Sequence, residues 1–384
     1  MSQDPPFPAS TRIRLGEVQL VAIHDVADEI DLARLEREAR AAGGHAAPDI
    51  RRLTVERQPG AVAFANPPVT ARLADRSFRV DGQQHAVRVR ARFFDFGAVS
   101  VQWSFTMPPD LALGALVQLS VALESPELRS WLAVQMAADV DAALAAAGDA
   151  VVRPARQAEA EYLTVYVVTD FDGPVDISEL TNSAEVAQLV LGEAATLSEQ
   201  LRADIRNASY SYTDQDLVVI GYDQAFIFDP ISAADLSALL EFALAQVLEL
   251  GFYDSQLDRR LAELSSAVSR PMRQARRWGL GGSSFEALRR DVLVHHVELV
   301  EVLERVTAAV KITDDLHYAR IYRAAMRVFR AGELIEATNR KLELLFRTYT
   351  MLADEVDSQV AHRLEWIIIA LIFIEIVLAL TRVI

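Results

Sequence analysis

The stretch SFRVDGQQHAVRVRARFFDFGAVSVQWSF, residues 77–105, decides the first half of this chain. Apolar and polar residues alternate along it, the period of a strand with one buried face. Asp81-Gly82 supplies a hairpin turn and Gly97 a second break, so the segment predicts a meander of strands. Working outward, IRLGEVQLVAI (Ile13–Ile23) reads as another strand, weakened by Gly16. DLARLEREARAAGG (Asp31–Gly44) reads as a short amphipathic helix stopped by glycines. Residues 45–76, with two proline clusters, read as loop and weak strand. Residues 109–147 read as helix in two pieces split near Pro126. EYLTVYVVTDF (Glu161–Phe171) is a strand, 178–204 one long helix, and Ser209–Pro230 three short β runs. After Pro230 almost everything is helical, opened by a capping box of Ser232 and Asp235 and interrupted only at Ser269–Ser284.

These readings predict an α+β fold. Residues 1–11 form a disordered lead-in, 12–230 an N-terminal mixed α/β sheet domain and 231–365 a helical bundle with a long coiled-coil-like stem. Residues 366–384 form a transmembrane tail anchor. The chain of 384 residues is 51% hydrophobic and carries a net charge of −16. That charge argues against DNA or a general nucleic-acid partner, since phosphate binding needs a basic face. With no cysteine, disulfides, thiolate catalysis and Cys-ligated zinc are excluded. The opening MSQDPPFPAS has no basic or apolar signal region.

The stem carries a stripe. Ile335, Leu342, Tyr349, Val356 and Arg363 fall seven apart, and Thr338, Leu345, Leu352 and Gln359 fill the complementary positions. Such a stripe packs either on the protein's own helices or on a second copy. It runs into RLEWIIIALIFIEIVLALTRVI, residues 363–384. Leu364–Ile384 gives a helix of about 31 Å at 1.5 Å per residue, enough for a hydrocarbon core of about 30 Å. The Ile, Leu, Phe and Val residues between Trp366 and Leu380 contribute roughly −3 to −7 kcal/mol to insertion, and Glu375 opposes it by roughly 3. Trp366 sits where an interfacial aromatic would, and Arg363 and Arg382 can snorkel from either end. The reading is a tail anchor with a small margin. The bulk of the chain is expected on the cytoplasmic side of an inner membrane, in contact with membrane lipid. Glu375 shares a helical face with Ile368, Leu371 and Ile372. It is expected to mark the side on which anchors of a homo-oligomer pack.

NRKLELLFRTYTMLADEVDSQVAHRLEWIIIALIFIEIVLAL (Asn339–Leu380) resembles the C-terminal signature of the required-for-meiotic-nuclear-division protein family, a domain-of-unknown-function family. The matching residues are Asn339, Arg340 and Leu342, then Arg363, Leu364, Glu365, Trp366 and Ile367–Ile369, then Ile374 and Glu375. Fainter likenesses lie in Ala243–Asp258, Arg92–Phe105 and His24–Glu36. At GAVSVQWSF the family's closing glycine is missing here. The resemblance implies a membrane-tethered assembly that supports translation, and it supplies no catalytic residues.

Several constellations invite chemical readings. TVYVVTDFDGP (Thr164–Pro174) places Asp170 and Asp172 after a strand, as in metal-dependent phosphoryl-transfer hydrolases of the haloacid-dehalogenase type. KITDD (Lys311–Asp315) would then supply the downstream lysine and aspartates. Pro174 stands where threonine is usual, and no βαβ series separates the two motifs, so the competing reading is a strand-closing turn. In VHHVELVE (Val294–Glu301), His295 and Glu298 share a helical face but make only two ligands. GLGGSS (Gly279–Ser284) lacks the lysine of a phosphate loop. Arg270, Arg273, Arg276 and Arg277, followed by Trp278, form a basic run without an acid. It suits lipid headgroups or an RNA or ribosome contact, with ion pairing to neighbouring acids as the plain alternative. No catalytic, metal or cofactor set is predicted. The overall expectation is a membrane-tethered, self-associating scaffold, with a membrane-bound hydrolase using Asp170 and Asp172 as the alternative.

Overall fold

The computed structural model describes residues 11–41, 50–52, 66–157, 160–269 and 316–383. The first elements are β1 (Arg12–Asp25), β2 (Ala27–Ile30), α1 (Leu32–Ala41), β3 (Ile50–Arg52), β4 (Val69–Arg72), β5 (Arg76–Val80), β6 (Gln83–Phe93), β7 (Ala98–Thr106) and β8 (Leu111–Ala112). Next come α2 (Leu113–Leu123), α3 (Pro126–Ala147), β9 (Val151–Pro154), β10 (Ala160–Phe171), α4 (Ile177–Asn182), α5 (Ala184–Leu191) and α6 (Glu199–Asn207). The last are β11 (Ser209–Tyr210), β12 (Leu217–Ile220), β13 (Gln224–Phe228), α7 (Ala233–Ser269), α8 (Leu316–Val328) and α9 (Ala331–Val383). The fold is mixed α+β, with a large N-terminal sheet and helices after it.

The expected meander is β5–β6–β7, paired antiparallel in register. Asp81 and Gly82 both have positive φ, as a two-residue type I′ hairpin requires. At Gly97 φ is +90°, and a Cβ there would lie 1.8 Å from the Ala27 carbonyl oxygen, so the β6–β7 turn has room only for glycine. The main sheet has 11 strands in the order β11-β12-β13-β10-β1-β7-β6-β4-β3, with β5 on β6 and β8 on β1. Its pairs are antiparallel except β10–β13, whose crossover carries α4, α5 and α6. The register of β1 shifts next to Gly16, which is the weakness its glycine predicts.

One face of the sheet is an apolar core. Leu20, Val89, Val101, Trp103, Tyr166 and Phe226 pack there with Leu116, Met136, Val140 and Leu189 from α2, α3 and α5. The Trp103 indole N–H donates to Asp139 of α3 at 2.8 Å, which also accepts from Arg76 at 2.6 Å. The other face is also buried: Val21, Ile23, Leu163, Val165, Val167 and Ile227 make it apolar along β1, β10 and β13, and a row of polar residues crosses it on β1, β6 and β7. Ser237 and Glu241 of α7 reach it: Ser237 donates to Gln19, and Glu241 accepts from Arg92 and Ser100. Gln102 completes the row by donating to Gln19 at 2.7 Å.

The helix expected over 178–204 is three helices. The Ser183 hydroxyl accepts from the Val186 N–H at 3.1 Å and starts α5. Gly192, at φ +65°, ends α5, and Ser198 caps α6. The start of α7 is organised by Asp229, whose carboxylate accepts from the N–H groups of Ile231 and Ser232 and from the Ser232 hydroxyl. Thus the Ser232 hydroxyl, expected to cap the helix, donates to Asp229. The split at Pro126 holds, with the proline at the first turn of α3.

The chain divides into two compact units. One is Met1–Phe252 with Arg305–Gly332; the other is Tyr253–Glu304 with Glu333–Ile384. The helical half expected from 231 is therefore shared between them. In the first unit, α8 joins α7: Tyr318 donates to Asp235 at 3.4 Å, and Tyr322 donates to Gln246. In the second, Leu257 packs with Leu342 and Leu345, and Lys341 bridges Asp254 and Asp258 at 2.8 and 2.6 Å. Residues Ala233–Ala262 of α7 are long and apolar enough to cross a membrane, but 83% of their most apolar window is buried. That is the signature of a core helix.

Candidate functional site

The tail predicted as an anchor continues α9 as unbroken helix to Val383. Ile368, Ile369, Leu371, Ile372, Phe373, Ile374 and Ile376 are each more than half exposed. At about 100° per residue these side chains point in every direction around the helix axis. Glu365 and Glu375 are exposed too. The side chains of Arg363, Trp366 and Arg382 lie outside the described residues. The basic run Arg270, Arg273, Arg276, Arg277 and Trp278 also lies outside them, as do the His295–Glu298 pair, GLGGSS and KITDD. The first part of the stem stripe is used within the chain: Thr338, Leu342 and Leu345 are all buried.

Asp170 and Asp172 sit at the end of β10. Asp170 forms an ion pair with Arg14 of the antiparallel neighbour β1. The Asp172 N–H donates to the Arg12 carbonyl at 2.8 Å, closing the strand end. Among the described residues no group of three or more His, Asp or Glu could hold a metal ion.

A second site has no counterpart in the sequence reading. The C-terminal end of α2, the first turns of α3, β1, β10 and the β12–β13 turn enclose a cleft of about 260 Å³. Leu20, Leu123, Leu132, Ala133 and Met136 form its apolar walls, and Glu124, Arg129, Tyr162, Thr164 and Asp223 contribute polar groups. Glu124 follows α2 and precedes the proline-led start of α3, so the chain reversal aims it at β10. Arg129, one turn into α3, donates to Glu124 at 2.8 Å. The Thr164 N–H donates to the Asp223 carbonyl at 2.9 Å, tying the β12–β13 turn to β10. Behind the turn, Ser120 donates to the Gln224 side chain at 2.9 Å.

The electrostatics of the cleft are unusual for so open a position. Burial pushes the Glu124 carboxyl above its ordinary value; Arg129 opposes that shift and Asp223 adds to it. Burial also raises Asp223, again opposed by Arg129. Burial raises the Tyr162 phenol, with Arg129 and Arg156 opposing. Carboxyls held upward in an apolar-walled cleft are a feature of binding and catalytic sites. The only sequence signals for this site are a glutamate just before a helix-starting proline and an aspartate in a β turn.

All the elements of the cleft lie within one stretch that other proteins share. The family model described as Uncharacterized protein MJ0711, N-terminal domain, matches residues 15–235. Uncharacterized protein MJ0711 of Methanocaldococcus jannaschii is 22% identical over 226 residues, 58% of this chain and 67% of that protein. No solved structure matches the chain. The stem and tail fall outside the matched residues. With more than half its length under the match, the chain belongs to the family of the MJ0711 N-terminal domain.

Proposed function

We propose that this protein is a membrane-tethered binding module: the end of α9 sits in the bilayer and holds the sheet domain at its surface. The observation that carries this reading is the apolar surface of residues 368–376, exposed on all sides of the helix. In water such a surface has no offsetting contact, whereas in hydrocarbon it is solvated and the helical backbone is internally satisfied. The resemblance of Asn339–Leu380 to a membrane-tethered family supports the same reading. A scaffolding role follows from tethering, and the hydrolase alternative gains no support from an Asp170 already paired with Arg14.

The test is membrane retention after alkaline carbonate washing. The insertion margin is a few kcal/mol, and two added aspartates at the helix centre cost roughly 6. The wild-type chain should stay with the membrane, and Leu371→Asp/Ile372→Asp should be released. Release of the wild type, or retention of the double variant, would overturn the tether.

A further inference from the structure

The tether leaves the cleft beside β10 without a role. We propose that this cleft binds a small organic cation, a primary ammonium on an apolar body, with Glu124 and Asp223 receiving the charge. The inference is independent of the tether.

Charge decides the sign of the ligand. Two carboxylates and one guanidinium line the cleft, and the guanidinium is already held by Glu124. Asp223 makes no salt bridge among the described residues. The remaining charge is negative: burial disfavours it at Glu124, and Asp223 stands on an exposed turn beside it. An ammonium offers three donors in compact form and can be shared by Glu124, Asp223 and the Tyr162 oxygen. An anion would meet two carboxylates, with Arg129 engaged. A neutral molecule would leave Asp223 without a counter-charge.

Shape decides the rest. The volume falls below the roughly 300–1,000 Å³ of drug-sized pockets, so the body must be small. Leu123, Leu132 and Met136 offer it an apolar wall. Behind that wall Tyr166 is wholly buried, its hydroxyl near Ser120 and the Glu124 carboxylate. That hydroxyl has no hydrogen-bond partner of normal geometry among the described residues.

Three probes of equal length separate charge from greasiness: n-hexylammonium, n-hexanol and n-hexanoate. The full chain in a non-ionic maltoside detergent is titrated with each at about pH 8 by calorimetry. Saturable heat is expected from hexylammonium alone. Asp223→Asn, in an exposed turn, should weaken it roughly tenfold or more through loss of a charge-assisted contact. Ala133→Phe, which fills the cleft, should abolish binding, with circular dichroism checking that both variants fold. Affinity should fall as pH drops and the carboxyls take up protons. The proposal is overturned if hexanol or hexanoate binds as tightly, if Asp223→Asn binds like wild type, or if hexylammonium gives no saturable heat up to about 10 mM. Membrane retention is read separately, so failure of one reading leaves the other intact.

Discussion

Glu241→Gln should be among the most damaging single substitutions in the sheet unit. The wild-type side chain is 2% exposed and its partner Arg92 is 10% exposed. One carboxylate oxygen accepts from Arg92 and the other from Ser100, so all of its charge is spent inside the protein. Glutamine keeps the shape, but removes the charge and turns an N–H₂ group toward Arg92 or Ser100, both donors. The guanidinium is then buried without a counter-charge, a loss of about 3–5 kcal/mol. Arg92→Met/Glu241→Met removes both charges and both desolvation costs. It should lie within about 1 kcal/mol of wild type. Four tryptophans complicate a fluorescence assay. Trp278→Phe/Trp366→Phe as a background leaves the buried Trp103 and the 41% exposed Trp131, which meet edge-on at 6.1 Å in this unit. With a urea slope of about 3 kcal/mol/M, the single variant should lower the midpoint by roughly 1–1.7 M. A drop under about 0.3 M, or a double variant as weak as the single, would refute the idea that this ion pair carries α7 onto the sheet.

Two further outcomes follow from buried groups at the end of β1 and the turn beside it. Burial raises the Asp25 carboxyl to about 7, while burial and Arg156 lower the His24 imidazole to about 4. The Asp25 contribution is complete below its unfolded value near 3.8 and is lost as pH rises through 7; the His24 cost grows as pH falls from 6.5 toward 4. The two slopes oppose each other between about pH 4 and 6.5. Asp25→Asn should therefore gain up to about 4 kcal/mol over wild type above pH 7 and nothing below pH 4. Urea midpoints taken across pH check this, and a gain independent of pH would contradict it. Gly97→Ala should cost several kcal/mol, because its Cβ would sit on the Ala27 carbonyl and its φ is +90°. A melting temperature within about 1 °C of wild type would show that the turn relaxes freely.

The parts of the fold legible in the sequence were those where hydropathy and geometry agree. The meander showed through its period of two, its Asp-Gly turn and Gly97. The division at Pro126 showed because proline can only open α3. The helices α4 to α6 merged into one reading because Ser183 and Gly192 are single-residue punctuation within a helix-like pattern. The second face of the sheet was hidden for a different reason. Gln19, Arg92, Ser100 and Gln102 alternate with core residues and so look like a solvated face, yet they are buried under α7. Alternation reports polarity, and polarity reports exposure only where no partner waits. The cleft was less legible still. Leu20, Tyr162 and Asp223 are brought together by strand order and Glu124 by the α2–α3 reversal, and no local window contains two of them.

The contrast between α7 and the end of α9 bears on the proposed tether. Ala233–Ala262 of α7 is apolar over a length that could span a bilayer, and the proposed tether assigns that role to the end of α9 instead. In α7, Ser237 and Glu241 point to the sheet, whereas Asp235 and Gln246 meet Tyr318 and Tyr322 of α8. At about 100° per residue these two pairs lie on roughly opposite sides of the helix. A lipid-facing helix would leave at least one of those sides unpaired in hydrocarbon, at several kcal/mol for each unsatisfied polar group. The polar groups of α7 are therefore spaced for protein neighbours on two sides. Residues 367–380 carry one such group, Glu375, among exposed isoleucines, leucine and phenylalanine. A single carboxyl is a cost that a bilayer-spanning helix can absorb, whereas Asp235, Ser237, Glu241, Gln246 and Glu249 of α7 together are not.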